Sequence, residues 1–268
     1  MVIDISKCNG CMNCQLACKD EHVENNHTPY ALPQPDTGHF WMHVQERIRG
    51  SVPKVKLAYI ATPCMHCENP PCMAAATGGA IYKRPDGIVM IDPAKSVGQR
   101  QLVASCPYGV IYWNEELGAP QKCTFCAHLL DIGWKEPRCV EACPDAMRFG
   151  DLDDPKSEVS KLVANAETLL PELNAKPRVF YLALPKNFIA GTISDAATRE
   201  FIEGATITLT DPAGKTLTTK SDSYGDFWFE GLAPKTYSLK IESSGYKAAT
   251  SSVELKTDTN LGEISLSK

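Results

Sequence analysis

Several things are missing from this 268-residue chain, and each absence narrows what it can be. No apolar run approaches the roughly 18 residues that a membrane-spanning helix needs. No basic-then-apolar leader opens the sequence, since Met1-Val-Ile-Asp-Ile-Ser6 runs almost directly into Cys8. A cytoplasmic, reducing and anaerobic setting is expected. There is no basic excess: 27 Lys and Arg against 32 Asp and Glu give a net charge of -5. That argues against nucleic acid or an anionic membrane surface as the partner. The six histidines are scattered, and no two have metal-ligand spacing. Finally, no cysteine follows Cys143.

What is present is twelve cysteines, all between Cys8 and Cys143. A disulfide scaffold suits short secreted chains, not this one. The first group, Cys8, Cys11, Cys14 and Cys18, reads C-x2-C-x2-C-x3-C. Three thiolates at that spacing grip one [4Fe-4S] cubane, and the fourth ligates a different cluster. A second group is Cys64, Cys67 and Cys72; where a fourth member would fall stands Ala76. The last group is Cys123, Cys126, Cys139 and Cys143. Taken alone, that group can also be read as a zinc site, but the opening run is not a zinc pattern. His66 lies between Cys64 and Cys67, yet three thiols already account for that loop.

An internal repeat supplies the remaining group. Shifted by 88 residues, Ile3, Asp4, Lys7 and Cys18 fall on Ile91, Asp92, Lys95 and Cys106 without a gap. Cys8, Cys11 and Cys14 fall on Ser96, Gln99 and Leu102. Shifted by 59, Cys64 and Cys67 fall on Cys123 and Cys126. The N-terminal part is therefore expected to be two interleaved bacterial double-cluster ferredoxin-like units. Cross-ligation between paired motifs assigns Cys8, Cys11, Cys14 and Cys143 to one cluster. It assigns Cys18, Cys123, Cys126 and Cys139 to a second, and Cys64, Cys67, Cys72 and Cys106 to a third. A fourth would need Ala76, Ser96, Gln99 and Leu102. Leu102 has no donor atom, and Gln99 is a poor ligand for a thiophilic cluster. One complete set is gone and three complete sets remain, with no cysteine left over.

Strand-like stretches are expected at Val2–Ile5, at His39–Gln45 and Val55–Ile60 in a long insert, and at Arg178–Leu184. Ser157 is expected to cap a helix reaching about Ala166. From about Asn187 the composition turns to Thr, Ser and Gly with short alternating runs. About seven strands are expected between Phe188 and Leu266, with turns at Asp211–Gly214 and Ser223–Gly225. The fold class is thus α+β: a ferredoxin-like domain over 1–186, then an all-β sandwich or barrel over 187–268.

The cysteine region resembles the iron–sulfur subunits of the molybdopterin oxidoreductases, the dimethyl sulfoxide reductase family. The likeness rests on Cys64-Met-His-Cys67-Glu-Asn-Pro-Pro-Cys72, Cys106-Pro-Tyr-Gly109, Lys122-Cys-Thr-Phe-Cys126 and Cys139-Val-Glu-Ala-Cys143-Pro144. It extends through Phe149-Gly-Asp-Leu-Asp-Asp-Pro155. It implies a line of clusters, with the Cys8, Cys11, Cys14, Cys143 cluster facing a large catalytic subunit. That partner would carry molybdenum in a bis-molybdopterin guanine dinucleotide, as a heterodimer or higher assembly. No catalytic residue is expected on this chain. The absent cluster is the one that, in this family, hands electrons to a membrane subunit, so none is expected here. The C-terminal region resembles transthyretin-like, carboxypeptidase-regulatory-like modules, through Ile189-Ala-Gly-Thr-Ile-Ser-Asp195, Asp222-Ser-Tyr-Gly-Asp-Phe227 and Gly245-Tyr246. The combination of a truncated wire and a β module resembles, within this family, the small subunit of an enzyme that moves a hydroxyl between polyphenols without net oxidation, and such a role is what the resemblance implies. The competing expectations are a cytoplasmic subunit of a net-redox molybdenum or tungsten enzyme with a soluble acceptor, and a purely structural cluster subunit.

Overall fold

A computed structural model describes all 268 residues. The chain divides into two compact units: residues 1–46 with 59–184, and residues 47–58 with 185–268. No helix is long and apolar enough to cross a membrane.

In the first unit, β1 (Val2–Asp4) leads through a 3-10 turn at Ile5–Lys7 into the first cysteine loop and then α1 (Asn13–His22). A hairpin follows, β2 (His43–Ser51) and β3 (Lys54–Thr62). Next come α2 (Pro71–Ala75), β4 (Ile81–Lys83), β5 (Val89–Ile91) and α3 (Gln101–Ala104). Then follow β6 (Tyr112–Asn114), β7 (Ala119–Gln121), α4 (Ala127–Leu130), α5 (Arg138–Glu141), β8 (Met147–Arg148), α6 (Glu158–Val163) and β9 (Phe180–Leu182). β1 is the centre of a three-stranded sheet, antiparallel to β8 and parallel to β9. β4 pairs with β5 and β6 with β7 as small antiparallel ribbons. The elements are short because the cysteine loops, rather than long ladders, fill the interior. Buried Cys14, Cys18, Cys64, Cys67, Cys123 and Cys139 belong to the same core as Trp41, Met65, Phe125 and Tyr181.

The repeat is visible in three dimensions. β1 ends in Asp4 and its copy β5 is followed directly by Asp92, and each aspartate caps the turn after it. Asp4 accepts from the Ser6 N–H, and Asp92 from those of Ala94 and Lys95. Each aspartate also faces a lysine three residues on, Lys7 and Lys95. Gly10 and its copy Gly98 are both left-handed, at φ +74° and +78°. The copies diverge at the helix. α1 continues past Cys18 to His22, whereas α3 stops at Ala104, shortly before Cys106-Pro107. Pro107 has no N–H to donate to an i−4 carbonyl, and it disfavours helical backbone at Cys106.

Two expectations shift. The first insert strand runs His43–Ser51 instead of His39–Gln45, because Trp41 and Met42 are buried core anchors and not ladder residues. The helix after Ser157 covers only Glu158–Val163, and the Ser157 side chain makes no cap hydrogen bond.

The second unit holds seven strands: β10 (Asn187–Asp195), β11 (Thr206–Thr210), β12 (Thr216–Lys220), β13 (Asp226–Leu232), β14 (Lys235–Glu242), β15 (Ala249–Leu255) and β16 (Thr259–Leu266). They form two sheets, ordered β13-β10-β16 and β12-β11-β14-β15. Alternation places Ile207 and Leu209, then Tyr237, Leu239 and Ile241, inside, as a sheet with one buried face requires. Residues 47–58, the outer part of the β2–β3 hairpin, group with these strands. Lys54, only 4% exposed, pairs with Asp226, and Arg49 holds Asp258 through two guanidinium hydrogen bonds.

Candidate metal centre

All twelve cysteines are unpaired thiols, and the fold gathers them into three groups. Burial, then the neighbouring thiols of Cys143, Cys8 and Cys11, push the Cys14 thiol up to about 12. Burial followed by Cys123 and Cys126 holds Cys18 well above the usual thiol range. Burial followed by Cys18, Cys123 and Cys126 does the same to Cys139. Cys67 is pushed up to about 12 by burial and by Cys64, Cys72 and Cys106. Cys8, Cys11, Cys14 and Cys143 thus come together, as do Cys18, Cys123, Cys126 and Cys139, and Cys64, Cys67, Cys72 and Cys106.

The groups lie within electrostatic reach of one another. Cys14 acts on both Cys18 and Cys139, which joins the first group to the second. Cys64 acts on Cys123, which joins the second to the third. His66 and Phe125, equivalent positions in the two C-x2-C loops, stack with ring centroids 3.8 Å apart. Both have positive φ, and each donates its backbone N–H to the sulfur two residues back. The distances are 3.5 Å to Cys64 Sγ and 3.4 Å to Cys123 Sγ. The first group is the most open: Cys11 is exposed, Cys8 and Cys143 are half-buried, and Leu16 beside them is 58% exposed.

The donor chemistry fits iron–sulfur clusters. The buried thiols of Cys14, Cys18, Cys67 and Cys139 resist ionisation, and a cationic iron core removes that cost by coordinating them as thiolates. Lys122 gives a second sign. It is 2% exposed, has no carboxylate partner, and donates to the carbonyls of Val89 and Cys123. Its charge favours the thiolate forms of Cys72, Cys106 and Cys123. A buried ammonium needs an anion, and thiolate-ligated clusters supply one.

The fourth group of positions is closed over. Leu102 is fully buried among Cys72, Ile81, Val89, Ile91 and Ile111, with Ala76 packed against the same cluster. Gln99 accepts from the Thr77 N–H and donates to the carbonyls of Thr77 and Lys95. Ser96 is buried, and its hydroxyl has no hydrogen-bond partner.

Residues 55–152 match a 4Fe-4S dicluster domain, and residues 189–267 match a carboxypeptidase regulatory-like domain. The pyrogallol hydroxytransferase small subunit of Pelobacter acidigallici is 39% identical, over 99% of this chain and 98% of that one. The arsenate respiratory reductase iron–sulfur subunit of Shewanella sp. strain ANA-3 is 34% identical, over 68% and 94%. A subunit of the tetrathionate reductase of Salmonella typhimurium is 35% identical, over 70% and 74%. The chain belongs to the iron–sulfur subunits of the molybdopterin oxidoreductases. Such a subunit handles electrons alongside a large catalytic partner.

One grouping escaped the sequence. His22, His27 and His128 are brought together around Glu21, with His27 and His128 stacked at 3.8 Å. Their sequence separations carry no signal, and only tertiary packing makes His128, on α4, a neighbour of His22 and His27. Glu21, His27 and His128 have the donor types of a metal site, but their orientation is wrong for one. Near-parallel rings aim their lone pairs side by side, and His27 Nε2 already meets the Glu21 carbonyl at 2.9 Å. His22 is 2% exposed; burial first, then His128 and His27, lower its pKa to about 3.

Proposed function

We propose that this chain is the three-cluster small subunit of a molybdenum hydroxyltransferase acting on polyphenols, a pyrogallol–phloroglucinol transhydroxylase. Its [4Fe-4S] clusters are held by Cys8, Cys11, Cys14 and Cys143, by Cys18, Cys123, Cys126 and Cys139, and by Cys64, Cys67, Cys72 and Cys106. The large partner carries the molybdenum bis-molybdopterin guanine dinucleotide and the substrate site, and no residue of this chain is catalytic. The open first group faces that partner. No membrane subunit belongs to the assembly, which is cytoplasmic.

The observation that carries this reading is the filled fourth position: Leu102 in an apolar core and the Gln99 amide engaged with backbone. A wire without its last cluster suits chemistry in which the substrate pair returns every electron it takes. The three clusters then buffer electrons during turnover. Whole-chain similarity to the pyrogallol hydroxytransferase small subunit supports the same reading, since it includes the β unit.

The test is turnover by the purified two-subunit complex without an external electron acceptor. Hydroxyl transfer is expected to proceed unaided, and iron and sulfide analysis to give about twelve of each per chain. A strict requirement for an acceptor would instead favour a net-redox enzyme, the role named for the arsenate and tetrathionate reductase relatives. Cluster signals that never change during turnover would favour a structural subunit.

A further inference from the structure

His22 lies in the last turn of α1, four residues after Cys18. That spacing puts both on one helix face. Its Nε2 is 3.8 Å from Cys126 Sγ, a thiol of the same group as Cys18. Its Nδ1 is buried without a hydrogen-bond partner. An iron-bound sulfur only accepts, so the His22 nitrogen that faces it, Nε2, is the one that carries the donated proton. The ring is fixed by its neighbours. Trp41 packs on it at 4.7 Å, and His27 and His128 meet it edge-on at 5.3 and 5.4 Å. His128 is in turn held by Glu21 at 3.0 Å, and Glu21 by Arg138 at 3.3 Å.

This arrangement has no copy elsewhere in the repeat. Shifting His22 by 88 residues gives Val110, beyond the helix end at Cys106-Pro107. Cys67, the equivalent of Cys126, has no side-chain donor. The backbone N–H···S contacts, by contrast, occur in both loops and so cannot distinguish the two clusters. Hydrogen bonds to cluster sulfurs withdraw electron density and stabilise the reduced, more negative state, which raises the reduction potential.

We propose that His22 is a dedicated potential-setting donor to the cluster bound by Cys126. It makes the middle cluster of the line easier to reduce than its ligands alone would. The inference rests on the three-cluster reading above.

The experiment is a redox titration of the two-subunit complex followed by electron spin resonance, for wild type, His22→Phe and His22→Gln. His22→Phe should lower one of the three midpoint potentials by about tenfold in the reduction equilibrium, ~59 mV for one electron, with the other two unmoved. His22→Gln keeps an N–H donor and should restore much of the shift. Unmoved potentials in a His22→Phe complex of wild-type iron content would overturn the inference, as would three potentials shifting together. If His22→Phe loses iron, nitrogen-15 histidine labelling of the wild-type complex decides. Pulsed resonance should detect an imidazole nitrogen weakly coupled to a reduced cluster, and no such coupling overturns the assignment. Iron near eight per wild-type chain would instead overturn the three-cluster reading itself, which the titration does not address.

Discussion

At the scale of single residues, Gly10 shows how closely the first cysteine loop is drawn. Its φ is +74°, and a Cβ there would lie 2.6 Å from the Tyr59 ring. Left-handed backbone costs a non-glycine residue about 1–3 kcal/mol, and the ring must also move. Gly98, its copy, has the same backbone but open space around it. Gly10→Ala should therefore lower the thermal midpoint and cost the loop formed by Cys8 and Cys11 its cluster, whereas Gly98→Ala should leave iron content intact. Thermal unfolding and iron analysis of the two variants check this; equal losses would show that backbone strain alone matters. The cysteine groups proposed as ligands are legible in the sequence because coordination imposes fixed spacings. Lys122 is present in a recognisable motif, but its burial without a carboxylate partner is not, since nothing local marks a lysine as interior. The histidine nest is invisible for the same reason: its members meet only through tertiary packing.

At the scale of elements, the two halves of the repeat diverge after their turns. α1 runs on to His22 and places a donor beside a neighbouring sulfur; α3 is cut short near Pro107 and its loop packs as a small apolar core. If the missing fourth site is only a matter of ligands, restoring them should restore a cluster. The combined Ala76→Cys, Ser96→Cys, Gln99→Cys and Leu102→Cys chain should bind about sixteen irons in place of about twelve. Any single one of these changes should add none. Leu102→Cys alone should destabilise, because it removes a fully buried side chain from a packed cluster, at a cost of about 2–5 kcal/mol by analogy with large-to-small core changes. Iron content after anaerobic reconstitution and thermal unfolding decide both; a fourfold variant still at about twelve would mean the loop has lost its shape as well as its ligands. The absence of cysteine at Ala76, Ser96, Gln99 and Leu102 can be read from spacing alone. What replaces it cannot: the Gln99 amide bridging Thr77 and Lys95 depends on two loops that only the fold brings together. Strand positions in the β unit were legible because alternation records its one-sided burial. The β2–β3 hairpin was displaced because Trp41 and Met42 anchor its approach.

At the scale of the whole molecule, the sequence divides near residue 187 by composition, yet residues 47–58 group with the later strands. Charge explains why this was not legible. Lys54–Asp226, Lys56–Glu230 and Arg49–Asp258 join positions far apart in the chain, and each residue alone reads as an ordinary surface charge. The same carboxylates make the β unit sensitive to acid. Backbone N–H groups of Thr198 and Ala197, then the Tyr246 hydroxyl, hold the Asp195 carboxyl below its usual range. The Lys215 N–H and Lys235 do so for Asp211. At Asp226 burial works the other way, but Lys54 and Thr192 outweigh it and the net shift is downward. Each of these groups binds its proton more weakly folded than unfolded. Their contribution to stability is therefore complete above the unfolded carboxyl value of about 4 and declines as pH falls through the lower folded values. Amide hydrogen exchange of peptides from 187–268 in the intact chain, corrected for intrinsic rates, should show constant protection from neutral pH down to about 4. Protection should then fall below that point. Asp226→Asn should lower protection at neutral pH and flatten the decline, because Lys54 loses its charged partner at every pH. Protection that falls already near neutrality would assign the transition to histidine, and none of the six lies in the β strands except His43, at the start of β2 and outside the second unit.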